Sequence, residues 1–382
     1  MKERLTIGFD AKRIVRNGTG LGSYGRTLVN DLAANEALNL QLYVPDAGRD
    51  SLRCQVPERE NVHYVYPPST AFFARNPIYK SYWRSRGIVS QLQHDGIKIF
   101  HGLSGELPVG IRKAGIKTVV TIHDLIFMRH PEYYHPIDVQ IYTRKFFKTL
   151  KEADRIVAIS ECTRRDICEL GGIPEERVDL IYQSCAMRYS GEISDRQAAD
   201  VAARYQLPRR YVLSVGSVET RKNMLLAVRA LPFLPEDVHL VLAGRSTKYT
   251  QLLLDEAAQS GLRQRVHALG SVPDEDLPAI YYLADAFVYP SRYEGFGIPI
   301  IEAIRMNLPV VACTGSCLEE AGGPDSIYVD PDDAEGLAHG LLQVMRGAEG
   351  RQERIELSKN YVRRFENTGA AKLFADLYEE MV

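Results

Sequence analysis

Short apolar runs rich in β-branched residues alternate with amphipathic segments along most of the chain. Five such runs occur in the first half: LTIGF (5–9), LQLYV (40–44), IKIF (97–100), KTVVTI (117–122) and RIVAI (155–159). Five more follow in the second half: YVLSVG (211–216), VHLVLAG (238–244), RVHALG (265–270), DAFVYP (285–290) and PVVAC (309–313). Strands separated by helical segments are typical of βαβ units in parallel sheets. The pattern therefore predicts an α/β protein with two Rossmann-like halves in tandem.

The two halves are expected to be separate domains, because 382 residues exceed what one hydrophobic core usually serves. Between them lies a polar stretch from about Tyr182 to Arg210, with a short helical segment that ends at Pro208. We assign the linker to this stretch. The predicted domains are residues 1–185 and 210–365, followed by a C-terminal helix over 366–382 that could pack back on the first domain.

Composition narrows the class of ligand. With 45% hydrophobic and 25% charged residues and a formal net charge of -2, the chain resembles a soluble globular protein and does not favour bulk electrostatic binding of nucleic acid. The six cysteines form no C-x-x-C pair, which argues against a zinc site or a disulfide framework. The N-terminal segment lacks the apolar core of a signal peptide, and no run is long enough to span a membrane. We expect a cytoplasmic protein that holds any anionic ligand with local cations.

Glycines and a histidine follow predicted strands of the first half, where open parallel sheets bind ligands. The loop NGTGLGSY (17–24) contains Gly20 and Gly22 ahead of an amphipathic helix, and such a loop can approach an anion closely. It lies too far from the first strand for the dinucleotide fingerprint, and a mobile turn explains it equally well. His123 follows KTVVTI and could act in hydrogen bonding or acid/base chemistry, although a lone histidine is more often structural.

Cations follow the strands of the second half. Arg221 and Lys222 lie in VGSVETRKN after Gly216, and Arg245 follows Gly244 in LAGR. A fixed pair of cations could hold a diphosphate and neutralise the charge of a departing phosphate. The alternative is a solvated helix start, because lysine and arginine are common on surfaces.

The segment YEGFGIPIIEA (293–303) places two carboxylates around a glycine-rich turn. Pro299 suits the first turn of a helix, so the amides of 295–297 would point at an anion and Glu302 would face outward. Carboxylates accept paired hydrogen bonds from the vicinal hydroxyls of sugars and riboses. The segment therefore predicts a nucleotide-sugar site that includes Glu294. In the alternative, Glu294 caps the helix and Glu302 is a solvated first-turn acid, which leaves the glycines unexplained.

The motif EGFGIPIIE occurs together with VGSVETRKN, LAGR, TIHD, AISECT and GTGLGSY. In this order, over most of the chain, they resemble the retaining GT-B glycosyltransferases of family 4. The resemblance implies transfer of a sugar from a nucleotide donor without a metal or other cofactor. It also implies a cleft between two Rossmann-like domains facing each other, with the donor bound mainly by the C-terminal one.

The resemblance assigns roles to individual residues. Glu294 would contact the hydroxyls of the donor sugar, Glu302 the ribose, Lys222 the phosphate and His123 the transferred sugar. The catalytic set it implies is His123, Glu294 and Lys222. The donor-binding set it implies is Gly20, Gly22, Gly216, Arg221, Lys222, Gly244, Arg245, Glu294, Gly295, Phe296, Gly297 and Glu302.

One position departs from the family. Many members carry an arginine after the glycine of the first C-terminal strand, whereas Gly216 is followed by Ser217. Arg221 then supplies the second cation, or the leaving phosphate is held with less charge. For retaining transfer the family is generally assigned a front-side attack, in which the leaving phosphate accepts the proton of the acceptor.

The expected enzyme is a hexosyltransferase that acts on a glycan or lipid-linked acceptor in polysaccharide or lipopolysaccharide biosynthesis. Similarity of VETRKN and TIHDLIFMRHPEYY to mannosyltransferases favours GDP-mannose as donor, with a UDP-sugar as the alternative. The basic, aromatic segment 74–92 and the segment 141–153, which has a basic face, could contact anionic lipid at the inner face of a membrane or a lipid-linked glycan, or be ordinary surface helices. The competing functions are a nucleotide-sugar 2-epimerase and a non-catalytic sugar-nucleotide binding protein. A dehydrogenase is disfavoured because neither half carries the tight glycine fingerprint.

Overall fold

The computed structural model describes residues 4–68 and 76–382. The chain divides into two compact units: unit 1 joins Met1–Ser184 with Phe365–Val382, and unit 2 spans Cys185–Arg364. Residues 185–210, which we assigned to the linker, thus belong to unit 2. They include a helix over Asp195–Tyr205, which begins where the hydroxyl of Ser194 accepts a hydrogen bond from the amide of Gln197.

Unit 1 contains a seven-stranded parallel sheet. Its strands are β1 (Leu5–Asp10), β2 (Leu38–Tyr43), β3 (Val62–Val65), β4 (Ile99–Gly102), β5 (Lys117–Ile122), β6 (Arg155–Ala158) and β7 (Val178–Leu180). They follow the order β3-β2-β1-β4-β5-β6-β7. Ile7 of β1 is in register with Leu40 on one side and Ile99 on the other. Because the order reverses at β1, the carboxyl ends of β1 and β4 flank the point where such sheets bind ligands.

Unit 2 contains a six-stranded parallel sheet. Its strands are β8 (Tyr211–Val215), β9 (His239–Ala243), β10 (Val266–Gly270), β11 (Ala286–Tyr289), β12 (Val310–Cys313) and β13 (Ile327–Val329). The order is β10-β9-β8-β11-β12-β13, so the reversal lies between β8 and β11. Val212, Leu240, Leu242, Val288 and Val311 are among the residues of its buried core.

Helices cover both sheets. In unit 1 they are α1 (Lys12–Arg16), α2 (Gly20–Leu32), α3 (Asp50–Arg53), α4 (Pro77–Tyr82), α5 (Ile88–His94), α6 (Ile126–Arg129), α7 (Pro136–Glu152) and α8 (Glu161–Gly171). In unit 2 they are α9 (Asp195–Tyr205), α10 (Met224–Ala230), α11 (Lys248–Gln259), α12 (Leu277–Leu283), α13 (Ile298–Arg305), α14 (Leu318–Gly322), α15 (Ala334–Leu342) and α16 (Arg351–Val362). The last helix, α17 (Asn367–Glu380), belongs to unit 1 and packs on α2.

The α/β fold class predicted from the sequence is confirmed, and all ten predicted strands are present. Three strands were missed, namely β3, β7 and β13. Each lies at the edge of its sheet and has only three or four residues. Edge strands bury less side-chain surface than central ones, so the apolar pattern that identifies a strand is weak in them.

The two segments for which membrane contact was one alternative are helical where the structure describes them. Residues 74 and 75 of the segment 74–92 lie outside the described residues, and the remainder forms α4, a π-helical turn over Trp83–Gly87 and most of α5. The segment 141–153 is the greater part of α7. Within 4–68 and 76–382, no helix is long and apolar enough to cross a bilayer.

Candidate functional site

Glu294 lies in the turn between β11 and α13, and one of its oxygens meets four partners. Its Oε1 lies 2.5 Å from the Nζ of Lys222 and 2.9 Å from the Nη1 of Arg221. The same oxygen accepts hydrogen bonds from the hydroxyls of Tyr289, at 3.3 Å, and Ser291. The side chain of Glu294 is 10% exposed, and those of Lys222 and Arg221 are 11% and 14% exposed. A carboxylate and two cations are therefore buried together, and we call Glu294, Lys222 and Arg221 the Glu294 cluster.

The cluster keeps Glu294 ionised. Burial on its own would favour the neutral acid, but the charges of Lys222 and Arg221, with the hydrogen bonds from Lys222 and Ser291, outweigh it and lower the pKa of Glu294 to about 2. Arg221 also pairs through Nη2 with Glu219 at 3.0 Å. Lys222 donates a hydrogen bond to the hydroxyl of Tyr289 at 2.5 Å, and its Nζ lies 4.8 Å from the centre of that ring.

Backbone contacts fix the two cations. Thr220–Lys222 forms a single 3₁₀ turn, and Asn223 ends it in the left-handed region at φ 53°, a conformation that asparagine tolerates. The guanidinium of Arg221 donates to the carbonyl of Tyr293 at 2.5 Å, and the carbonyl of Arg221 accepts from the amide of Arg292 at 3.0 Å. The loop after β8 is thereby tied to the loop after β11. Lys222 and Arg221 are not the solvated helix start of the alternative interpretation.

Gly216 and Gly244 lie where the loops after β8 and β9 approach each other. A Cβ added to Gly244 would lie 1.9 Å from the carbonyl oxygen of Gly216, which only glycine allows. The amide of Gly216 donates to the carbonyl of Ala243, and that of Gly244 to the carbonyl of Gly270, so both extend the sheet ladder. Arg245 is exposed, and among the residues that the structure describes it joins no ion pair. The structure does not bring it into the Glu294 cluster.

The glycine-rich turn before α13 has the predicted conformation. Gly297 has φ 98° and is the N-cap of α13, Pro299 lies in the first turn, and Phe296 is buried. α13 has no side-chain cap, so Glu294 does not cap it. The binding of an anion by residues 295–297 stays a prediction.

The expectation that Glu302 faces outward is wrong. Glu302 is 9% exposed, and its Oε2 accepts a hydrogen bond from the hydroxyl of Tyr281, on α12, at 2.9 Å. Its neighbours Ile300, Ile301, Ala303 and Ile304 are all buried, because α13 packs against α14 and α16 within unit 2. Burial raises the pKa of Glu302 to about 7, although the hydrogen bond from Tyr281 and the charge of Arg188 act in the opposite direction. It is neither a solvated first-turn acid nor a member of the Glu294 cluster.

Replacing Glu302 with glutamine is expected to change how stability depends on pH. Because the folded pKa is raised above the unfolded value, this residue's contribution is complete below pH 4.5 and is lost as pH rises through 7. The wild type should lose on the order of 2–3 kcal/mol relative to Glu302→Gln between about pH 5 and about pH 8. Urea unfolding at both pH values measures this. Parallel pH dependence in the two proteins would contradict it.

His123 lies at the carboxyl end of β5 in unit 1, as predicted. Its Nε2 is 2.9 Å from the carbonyl oxygen of Leu103, and its ring makes a T-shaped contact with Tyr24 at 4.6 Å between ring centroids. Burial lowers the pKa of His123 to about 4, with the Leu103 carbonyl acting against this and Arg13 adding to it. The imidazole is therefore neutral at physiological pH, which disfavours a role as a proton donor.

Gly20 and Gly22 differ in what surrounds them. Both lie in the first turn of α2, behind a loop in which the side chain of Asn17 accepts hydrogen bonds from the amide and hydroxyl of Thr19 at 2.7 Å. A Cβ on Gly22 would lie 1.8 Å from the carbonyl oxygen of Asn17, whereas a Cβ on Gly20 would meet no atom within 4 Å. Internal packing therefore explains Gly22 and leaves Gly20 facing open space.

This pair gives a matched test. Gly22→Ala is expected to lower the free energy of unfolding by about 1–3 kcal/mol, because the Asn17 loop must move. Gly20→Ala should leave stability unchanged or slightly raised, since alanine favours a helix. If a ligand approaches Gly20, that variant loses activity while it stays fully folded. Urea unfolding and steady-state kinetics of both variants check this, and equal destabilisation of the two would contradict it.

Sequence reasoning did not identify Tyr289, Ser291 and Tyr281, which hold the two glutamates. Tyr289 and Ser291 precede Glu294 by five and three residues, and a tyrosine that ends a strand with a serine two residues later was the signal that could have found them. Tyr281 could not be found in this way, because its contact with Glu302 joins two helices.

Two parallel sheets with Rossmann-like strand order give this protein an α/β fold of the GT-B type. The fold matches the crystal structure of a glycosyltransferase from Rickettsia africae, with a TM-score of 0.76, 17% identity and coverage of 100% of this chain and 99% of that one. It also matches Anabaena Alr3699/HepE in complex with UDP and glucose, with a TM-score of 0.75, 16% identity and coverage of 99% and 100%.

Sequence comparisons agree with the fold. The family model "Glycosyltransferase Family 4" matches residues 18–184, and "Glycosyl transferases group 1" matches residues 196–361. O-antigen chain mannosyltransferase B of Escherichia coli is 32% identical over 343 residues, which cover 86% of this chain and 87% of that protein. The chain belongs to the family 4, or group 1, glycosyltransferases.

Proposed function

We propose that this glycosyltransferase is a retaining mannosyltransferase that uses GDP-mannose and extends a glycan or lipid-linked acceptor of a bacterial-type surface polysaccharide. The observation that carries the donor site is the Glu294 cluster, in which two cations and one carboxylate are buried at the carboxyl edge of the second sheet. The choice of mannose rests on the likeness to the Escherichia coli O-antigen mannosyltransferase and on the local similarity of VETRKN.

The cluster suits a sugar diphosphate because it presents both signs of charge. Lys222 and Arg221 are held beside a single carboxylate, so both cations can also donate hydrogen bonds to phosphate oxygens without moving far. The contacts of Glu294 described above all fall on Oε1. We assign its other oxygen to a hydroxyl of the transferred sugar, and Glu302 to the ribose.

The proposed chemistry is a front-side displacement. The bond between C1 of the sugar and the phosphate oxygen breaks, the acceptor oxygen bonds to C1 from the same face, and the departing phosphate takes the proton of the acceptor hydroxyl. Lys222 and Arg221 stabilise the negative charge that develops on the diphosphate. Glu294, with its pKa of about 2, stays ionised and orients the sugar.

The test is a thermal-shift screen of nucleotide sugars followed by product analysis. A ligand that binds the folded state raises the melting temperature. We expect GDP-mannose to raise it, UDP-sugars to leave it unchanged, and GDP plus a mannosylated acceptor to form. Stabilisation by UDP-sugars alone would overturn the donor. An epimerised donor without transfer would favour the epimerase, binding without any turnover a binding protein, and stabilisation by NAD would refute the site.

We further propose that the protein acts in the cytoplasm, at the inner face of the membrane, with α7 against anionic lipid. The support is that α7 exposes Ile137 and Ile141 at 61% and 42%, and Phe147 at 40%, among basic residues. Exposed apolar side chains among lysines and arginines suit an anionic lipid surface.

Vesicle co-sedimentation tests the membrane contact. Wild-type protein should sediment with phosphatidylglycerol vesicles but not with phosphatidylcholine, and Ile141→Glu should lose most of this binding. Leu252→Glu, at a residue of α11 that is 52% exposed, is the matched control and should bind as the wild type does. Equal binding of all three proteins would remove α7 from the contact.

A further inference from the structure

A chain of buried polar groups runs beneath His123. The hydroxyl of Tyr24, on α2, lies 3.1 Å from the hydroxyl oxygen of Thr121 on β5. Thr121 in turn lies 2.8 Å from the Nε2 of His101 on β4, and the Nδ1 of His101 lies 2.6 Å from the hydroxyl of Tyr378 on α17. All four residues are at most 4% exposed. Both ring nitrogens of His101 have a partner, so the chain is complete from α17 to α2.

The hydrogen-bonded chain formed by Tyr24, Thr121, His101 and Tyr378 carries no charge. Burial lowers the pKa of His101 to about 3 and raises the pKa of Tyr24 and of Tyr378 above the ordinary range, so all three side chains are neutral at physiological pH. Phe9 and Phe374 pack on the His101 ring, with ring centroids 5.6 and 5.2 Å away. Its hydrogen bonds can run in either direction, depending on which nitrogen of His101 carries the proton, but the packed rings hold its heavy atoms in place, which suits it to fixing the position of a neighbour.

That neighbour is His123. The Tyr24 ring stands at 87° to the imidazole with centroids 4.6 Å apart. On the other side, the carbonyl of Leu103 can only accept, so the Nε2 of His123 must carry the proton. The backbone carbonyl of His123 accepts a hydrogen bond from the hydroxyl of Thr163 at 3.1 Å. Ring and backbone are thus each held by a neighbouring element.

We propose that Tyr24 is a positioning residue for His123, and that the chain Tyr24–Thr121–His101–Tyr378 anchors it to the C-terminal helix. The inference rests on the proposed transferase function, for which the family resemblance assigns His123 to the transferred sugar. With Nε2 donating to Leu103, the Nδ1 of the neutral imidazole is an acceptor. The group it meets is therefore a donor, such as a sugar hydroxyl.

Histidine ¹⁵N NMR tests this without turnover, since nitrogen shifts distinguish the two tautomers. His123 is assigned as the signal that His123→Asn removes, and it should be the Nε2–H tautomer in the wild type. In Tyr24→Leu we expect a mixture of tautomers, with kcat lowered about tenfold to a hundredfold. The KM for the donor should change by less than about threefold, because binding is not what the contact governs. Tyr24→Phe keeps the ring but loses the hydrogen bond to Thr121, so its His123 signals and kcat should lie between those of the wild type and those of Tyr24→Leu.

Tyr43→Leu is the matched control. Tyr43 is equally buried in unit 1, and its hydroxyl donates to Asp95 at 2.8 Å, but it does not contact His123. This variant should lose stability while the His123 signals and kcat stay as in the wild type. If Tyr24→Leu does not fold, Tyr378→Phe carries the test from the other end and should shift the same signals.

Two results would overturn the proposal: His123 signals and kcat in Tyr24→Leu that match those of Tyr43→Leu, or a wild-type His123 protonated on Nδ1. Failure of the wild type to transfer any sugar would instead refute the proposed function, while the tautomer of His123 stays measurable.

Discussion

Replacing Glu294 with glutamine is expected to lower sugar transfer by about a thousandfold or more, equivalent to about 4 kcal/mol in the barrier. Glutamine has the shape of glutamate but lacks its charge, so it neither compensates Lys222 and Arg221 nor binds a sugar hydroxyl as strongly. Removing one partner from a buried ion pair costs roughly 3–5 kcal/mol of stability, and the isosteric amide should lose somewhat less. Steady-state kinetics and urea unfolding measure the two effects.

Binding of GDP, which lacks the sugar, separates the role of Glu294 in binding the sugar from the role of Lys222 and Arg221 in binding the diphosphate. A diphosphate brings negative charge to Lys222 and Arg221, so GDP should stabilise Glu294→Gln at least as much as it stabilises the wild type. Glu219→Gln is the matched control, because Glu219 pairs with the same Arg221 but its side chain is 36% exposed. The substitution Glu219→Gln should lower the free energy of unfolding by at most about 1 kcal/mol. Near-normal transfer by Glu294→Gln would contradict the assignment of the cluster.

Replacing Lys222 with methionine is expected to lower kcat by about a hundredfold to a thousandfold, since a cation at the departing phosphate is lost. Methionine keeps an unbranched apolar side chain against the Tyr289 ring, so packing is largely preserved. Lys222 is the strongest of the charges that lower the pKa of Glu294, and that pKa should therefore rise in the variant. Kinetics with GDP-mannose, together with GDP binding by thermal shift, check both consequences.

The control for this substitution is Lys248→Met, which removes an exposed lysine at the start of α11 in the same unit. It should retain the wild-type kcat and GDP binding. A fall of similar size in both variants would mean that general positive charge matters, and not a cation fixed beside Glu294.

Much of the fold could be predicted because its signals are local. Central strands such as KTVVTI and YVLSVG are runs of five or more residues rich in β-branched or apolar side chains and buried at nearly every position, since helices cover both faces of the sheet. The edge strand β7, with the sequence VDL, has only three residues, which is too short for such a signal. The position of Pro299 in the first turn of α13 likewise followed from a single-residue preference.

The candidate site was also only partly predictable from the sequence. The sequence showed which chemical groups follow the strands, and these groups were expected to lie near one another because parallel strands end at one edge of the sheet. It did not show which of these groups contact each other. Glu294 and Lys222 are 72 residues apart, and no periodicity links them. The error at Glu302 has a clear cause: a glutamate in a helix is usually solvated, and only the packing of α12 against it reveals the burial.

The amino-acid sequence alone determined the α/β class, the tandem of two parallel sheets and the family motifs, because each depends on residues close together in the chain. Tertiary structure decided which charges neutralise one another, which glycines are required by packing, and how His123 is held from the C-terminal helix. These depend on burial and on distances between residues far apart in the chain. Burial raises the pKa of both glutamates, but at Glu294 the charges of Lys222 and Arg221 outweigh it, so the pKa of Glu294 is lowered while that of Glu302 is raised.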